Sequence, residues 1–255
     1  MSALDYSTAE SWLTRWDDQQ QRYVADREER FAVIEDVVRH ATAETPHPVI
    51  VDLGCGPGSL AGRLAKAMPH ARIIGVDADP VLLGLANAYY PANHPNVEFA
   101  EVDLADPEWA RRAGIPERID ASVSTTALHW MEVDDLGTLY ERLAELTHPS
   151  GVFVNGDHLG TGSERLDKIT HLVRARRGER VGVTDNEEWQ QWWDGVRADD
   201  TLASLVDQRS DRAIAHGGSN DLSVDDHAGM LRKAGFAEVG PVWQSGDDTV
   251  LVGLR

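Results

Sequence analysis

Val49-Ile50-Val51-Asp52-Leu53-Gly54-Cys55-Gly56-Pro57-Gly58 is the stretch that decides the fold. Its apolar, β-branched start reads as a buried strand. Glycines then recur at alternate positions, 54, 56 and 58. Ser59 to Met68 follows, with Leu60, Leu64 and Met68 four apart on one helical face. Strand, glycine turn and helix together open a nucleotide site at the C-terminal edge of a parallel sheet. Glycine permits positive φ and lets backbone lie directly against a ligand. The first N–H groups of the helix are free to meet an anion.

The dinucleotide fingerprint is G-x-G-x-x-G. Here Ser59 stands where its third glycine belongs, which counts against a nicotinamide oxidoreductase. Asp52-Leu53-Gly54-Cys55-Gly56-Pro57-Gly58 instead resembles motif I of class I S-adenosylmethionine-dependent methyltransferases. The resemblance implies that Asp52, Gly54, Gly56 and Gly58 hold S-adenosylmethionine. Arg72–Asp77 is predicted as strand two and ends on an acidic residue 23 positions after Gly54. At that separation a carboxylate accepts hydrogen bonds from ribose hydroxyls, and the resemblance places Asp77 with Ala78 at motif II. Asp79, followed by Pro80, fits a helix N-cap. Asn96–Leu104 is strand three and its exit. Asp103 and Leu104 match motif III, where a carboxylate accepts from the adenine amino group; the alternative for Asp103 is a turn residue.

Arg118–Ser124 is strand four, and its exit lies at the topological switch point beside strand one. Ser124-Thr125-Thr126-Ala127-Leu128-His129-Trp130 resembles the carboxyl-methylating members of the family, such as the malonyl-carrier-protein and trans-aconitate enzymes. Those usually carry asparagine where Thr125 stands and glutamine where His129 stands. The match implies Thr125 on the cofactor and Trp130 near the substrate. His129 reads as a general base, an orienting donor or a structural residue. After a helix over Asp134–Thr147 and a turn at Pro149-Ser150-Gly151, strand five covers Val152–Gly156. Asp157-His158 emerges at its C-terminal end, making His158 a second base candidate. A helix over Asp225–Ala234 is capped by Gly235. Strands at Phe236–Trp243 and Thr249–Leu254 match the family's final hairpin. The implied fold is α/β: a Rossmann-like, seven-stranded, mostly parallel sheet with a reversed last strand, built from residues 45–158 and 223–255.

Two further stretches flank this core. Residues 1–44 read as a helical lid, with residues 4–40 free of glycine and proline and Trp12, Trp16, Tyr23 and Arg27 near one face. Trp12 and Trp16 either pack on the core or face the substrate. Tyr23–Arg30 resembles the N-terminal segment of trans-aconitate-type methyltransferases. On that reading Arg27 reaches the cofactor, and Arg27 or Arg30 holds a carboxylate; the alternative is a solvated arginine. Residues 159–222 read as a helical cap between strands five and six. Arg174, Arg176 and Arg177 are expected on a solvated face. Trp189, Trp192 and Trp193 lie at helical pair spacings, and His216–Asn220 reads as a loop.

With 43 acidic against 24 basic residues, the net charge of −19 disfavours nucleic-acid partners. One cysteine, Cys55, excludes an internal disulfide and a Cys-rich zinc site. No metal is expected, since Asp157-His158 alone supplies too few ligands. No apolar run reaches the roughly 20 residues of a membrane helix, and the polar, acidic N-terminus carries no signal-peptide core; the chain reads as cytoplasmic. The resemblance implies a methyltransferase acting on a small-molecule acceptor, by O-methylation of a carboxylate or hydroxyl, the carboxylate favoured. A S-adenosylmethionine-binding module without catalysis is the alternative of another class.

Overall fold

The computed structural model describes residues 4–212 and 218–255. The chain runs through β1 (Val49–Leu53), β2 (Arg72–Asp77), β3 (Val97–Glu101), β4 (Ile119–Thr125), β5 (Thr147–His158), β6 (Glu238–Ser245) and β7 (Asp248–Leu254). Their order across one sheet is β3-β2-β1-β4-β5-β7-β6. β1 through β5 pair in parallel. β7 runs antiparallel between β5 and β6, the reversed strand expected.

Alternate residues of each strand feed two cores. Ile50, Ile73, Ala121, Val123, Val154 and Val252 face one side, where α1 (Tyr6–Gln21), α2 (Arg27–Ala41), α3 (Ser59–Ala67) and α4 (Pro80–Asn93) pack. Val51, Leu53, Ile74, Val76, Phe153 and Leu251 face the other. There α5 (Trp109–Arg112), α6 (Val133–Leu146) and α10 (Val224–Ala234) cover them. Between β5 and β6 the chain forms α7 (Glu164–Val181), α8 (Trp189–Ala198) and α9 (Ala203–Ser210). Trp192, Trp193, Val196 and Leu202 from this segment join the first core. Leu60, Leu64 and Met68 are all buried, as their spacing requires. Asp79 caps α4 by accepting from the Val81 amide at 2.9 Å, with Pro80 in the first turn.

The structure adds detail to three local expectations. Residues 4–40 form two helices broken at 22–26, although neither glycine nor proline marks the break. The break is held by tertiary contacts: Arg177 clamps the Asp26 carboxylate, and the Trp189 amide donates to the Tyr23 hydroxyl at 2.9 Å. Pro149-Ser150-Gly151 lies inside β5, and the expected turn survives as a register shift against β4 between Ile119 and Ala121. Arg174, Arg176 and Arg177 lie on a solvated face as expected, and two of them also make ion pairs that tie α7 to neighbouring turns, Arg174 to Asp247 at 2.8 Å and Arg177 to Asp26 at 2.6 Å. The loop read at His216–Asn220 lies partly outside the described residues. Among those described, no helix is long and apolar enough to cross a membrane.

Candidate functional site

The glycine turn adopts its left-handed conformations, with φ of +65° at Gly54, +54° at Gly56 and +88° at Gly58. Each glycine serves a different purpose. A Cβ on Gly54 would sit 2.4 Å from the Ala127 Cβ, so the turn abuts the exit of β4. A Cβ on Gly58 would strike Phe99 at 2.8 Å. Gly56 is different: the nearest atoms to such a Cβ are 3.8 Å away on Trp16 and 4.0 Å away on Leu82. Its backbone therefore lies bare to a cavity of about 450 Å³. That volume lies within the range of small-molecule sites.

The cavity sits outside the carboxyl ends of β1, β2, β4 and β5, at the switch point. Gly54, Gly56, Asp77, Thr125, His129 and His158 line its sheet side. Trp16, Tyr23 and Arg27 close it from the N-terminal helices, and Trp189 and Trp193 from α8. Trp130 lines the rim and is 43% exposed. Asp77 accepts from the Gly56 amide at 2.7 Å and the Asp79 amide at 2.9 Å. Burial raises its carboxyl to about 6, against the pull of those amides. A carboxylate offers roughly four acceptor positions, so capacity remains for further donors. The Thr125 hydroxyl is buried without a hydrogen-bond partner. Next to it Thr126 holds a φ of +48°, a strained value of the kind that clusters at functional sites.

At the far end of the cavity two side chains from β5 and the β4 exit meet. Nδ1 of His129 lies 2.9 Å from both carboxylate oxygens of Asp157. Asp157 is completely buried and also accepts from the His158 amide at 2.8 Å. Burial alone would raise its carboxyl, but the His129 ring, with His158 and Arg30 nearby, holds it below the usual carboxylate range. His158 is oriented less firmly, its Nδ1 lying 3.7 Å from Asp247. Arg27 is the one cationic side chain among the described lining residues apart from the histidines. It is buried, bonded to Asp17 at 2.7 Å and stacked 4.6 Å above Phe31. Asp17 also accepts from Ser59 at 2.7 Å, which links α1 to the glycine turn. Burial pushes the Asp17 carboxyl up, but Arg27 and Arg63 outweigh it and leave it low.

The structure thus brings Gly54, Gly56, Asp77, Thr125, Arg27, Trp16, Trp130, His129 and His158 to one cavity. The others lie elsewhere. Asp52 is fully buried beneath the turn with both oxygens unpaired. Burial raises it to about 7, opposed by the Ala61 amide and reinforced by Asp77. Gly58 caps α3. Trp12 is in the core, packed edge-on to Trp192 at 5.5 Å and donating to Asp199 at 2.8 Å. Asp103 is exposed and accepts from the Ala105 amide at 2.9 Å, while Leu104 packs on the second core. Ala78 is half-buried outside the cavity, and Arg212 reaches its carbonyl at 3.5 Å and pairs with Glu101 across that rim. Sequence reasoning missed Asp157 as the partner of His129, and no local signal spans their separation of 28 positions. It also missed Gln20, one helical turn after Trp16 on α1, and Val24, which lies in the helix break.

Comparison with known proteins bears on the domain and the fold. A family described as "Methyltransferase domain" matches residues 50–151. Trans-aconitate 2-methyltransferase of Azoarcus sp. is 31% identical over 140 residues, 55% of this chain and 49% of that protein. The enzyme of the same name from Methylobacterium radiotolerans is 32% identical over 147 residues, 56% of this chain and 51% of that protein. The chain spans about half the length of these curated relatives. The fold is shared with an O-methyltransferase family protein from Burkholderia thailandensis, at 17% identity, TM-score 0.55, and coverage of 100% of this chain and 64% of that one. It is shared equally with human N-acetylserotonin methyltransferase, at 18% identity, TM-score 0.55, and coverage of 100% and 60%. Residues 50–151 therefore match a methyltransferase domain, and the comparisons together support a class I S-adenosylmethionine-dependent methyltransferase.

Proposed function

We propose that the chain is a methyltransferase that binds S-adenosylmethionine against the glycine turn and methylates an oxygen, carboxylate or hydroxyl, of a small molecule. The observation that carries this reading is the cavity itself. Bare backbone at Gly56, a carboxylate with spare acceptor capacity at Asp77 and two histidines lie on its sheet side, and an aromatic wall faces them from the helices. When bound, S-adenosylmethionine supplies a methyl group activated by positively charged sulfur. Asp77 would take the ribose hydroxyls, and the turn and the first amides of α3 would face the amino-acid end. Asp52, Gly58, Asp103, Ala78 and Leu104 would then act as supports or as contacts made outside the present cavity.

The remaining work of the protein is placement and exclusion of water, which are large terms in bimolecular chemistry. The lid and the segment after β5 supply both. Arg15 of the first helix and Arg22 at its end pair with Glu187 and Glu188 at 2.5 and 2.8 Å, so the first helix is tied to the segment that leads into α8. The relatives' names favour a carboxylate acceptor. A binding module without catalysis has no use for an oriented histidine–aspartate pair at the end of its ligand cavity, which argues for the enzyme. Titration of Asp77→Asn with S-adenosylhomocysteine tests the assignment: affinity should fall at least tenfold while the melting temperature holds or rises. Undiminished affinity would remove Asp77 from the site.

A further inference from the structure

The site's own chemistry points to a narrower acceptor class, given the methyltransferase reading above. A carboxylate acceptor is already anionic near pH 7 and needs no base. What it needs, once desolvated, is a cation. Among the described residues, the cavity offers Arg27 for that, and Arg27 is already consumed. It is 5% exposed, bonded to Asp17 and laid over Phe31. Asp17 meets Arg27, Arg63 and Ser59 together, so releasing Arg27 to a substrate would break a shared node. Trp16, Tyr23, Trp130, Trp189 and Trp193 make the rest of that wall aromatic.

A hydroxyl acceptor has the opposite requirements: an apolar berth for its body and a base for its proton. Both are present. The Asp157 carboxylate, with both oxygens 2.9 Å from Nδ1 of His129, fixes the tautomer that carries hydrogen on Nδ1. The lone pair is then on Nε2, the nitrogen left for the cavity that His129 lines. The same pair stabilises the imidazolium that forms. His158 has a looser partner, Asp247 at 3.7 Å from its Nδ1, too long for a hydrogen bond that would fix its tautomer.

We propose that this site methylates a neutral hydroxyl group on an apolar, aromatic small molecule, with His129 as the general base and Asp157 as the residue that positions it. The acceptor O–H gives its proton to Nε2, and the electron pair freed on oxygen forms the new O–CH3 bond. The C–S pair departs on sulfur as a neutral thioether, and the imidazolium later releases its proton to solvent.

The test uses the full chain, with 2-naphthol and catechol as hydroxyl probes and trans-aconitate and benzoate as carboxylate probes. Binding is read by quenching of cavity tryptophan fluorescence in the complex with S-adenosylhomocysteine. Transfer is read with methyl-labelled S-adenosylmethionine. The hydroxyl probes should quench and accept label. His129→Gln and Asp157→Asn should each cut kcat by about 100-fold or more, with KM and quenching unchanged. Label on trans-aconitate that survives His129→Gln would overturn the proposal. So would S-adenosylhomocysteine binding with no hydroxyl probe bound or methylated. Absence of S-adenosylhomocysteine binding would instead remove the methyltransferase reading beneath it.

Discussion

Asp52→Asn should stabilise the chain, and only above the acidic range. Asp52 is fully buried, and apart from the weak pull of the Ala61 amide neither carboxylate oxygen has a hydrogen-bond partner. Burial, with a smaller push from Asp77, raises its carboxyl from 3.8 to about 7. The folded chain therefore holds this proton up to about pH 7, whereas the unfolded chain releases it near 3.8. The group's contribution is most favourable below pH 3.8 and is lost as pH rises through 7. At 1.36 kcal/mol per pH unit, the deficit above pH 7 amounts to about 4 kcal/mol. Asparagine keeps the size of the side chain and never ionises. At pH 8 the variant should be more stable by up to about 4 kcal/mol, which in a chain of this length is a rise in Tm of about 8 °C. At pH 4 the two should nearly coincide. Paired urea or thermal unfolding series from pH 4 to 8, without cofactor, give the difference directly. A variant equally destabilised at every pH would refute the reasoning and give Asp52 a structural hydrogen-bonding role.

Three other outcomes follow from the same geometry. Because Asp77 titrates near 6 and ribose hydroxyls favour its charged form, affinity for S-adenosylhomocysteine should hold above pH 6. It should weaken by up to about tenfold per pH unit below that, a dependence that calorimetry on Asp77→Asn should show abolished. Gly54→Ala drives a methyl to 2.4 Å from Ala127 and should fold poorly. Gly56→Ala costs only the left-handed conformation, about 1–2 kcal/mol, and should fold, melting about 2–4 °C below wild type with weakened cofactor binding. Arg30→Met strips the partner from buried Asp248 at 2.9 Å and should cost about 3 kcal/mol at neutral pH, less in acid as Asp248 takes up a proton, by urea unfolding at the two pH values.

Legibility of the sequence tracked how local each cause is. The turn at Gly54–Gly58, the carboxylate at Asp77 and the cap at Asp79 are set by residues within one βαβ unit, and each is where pattern and spacing place it. The break at 22–26 was illegible because side chains from the segment after β5 impose it. Trp12 and Trp16 share one helical face, yet only tertiary packing decides that Trp12 meets Trp192 in the core while Trp16 borders the cavity. His129 and Asp157 both stand at strand exits. Their pairing depends on the parallel register that sets Thr125 beside Gly156, which no single-strand pattern contains. Arg174 and Arg177 stay solvated, but the carboxylates they pair with come from distant turns and leave no local signal.

The most direct measurement is calorimetric titration of the purified chain with S-adenosylmethionine and S-adenosylhomocysteine, with NAD as control. Micromolar binding of either sulfur ligand, weakened in Asp77→Asn and absent for NAD, is the expected result. Binding of NAD without either sulfur ligand would contradict the account.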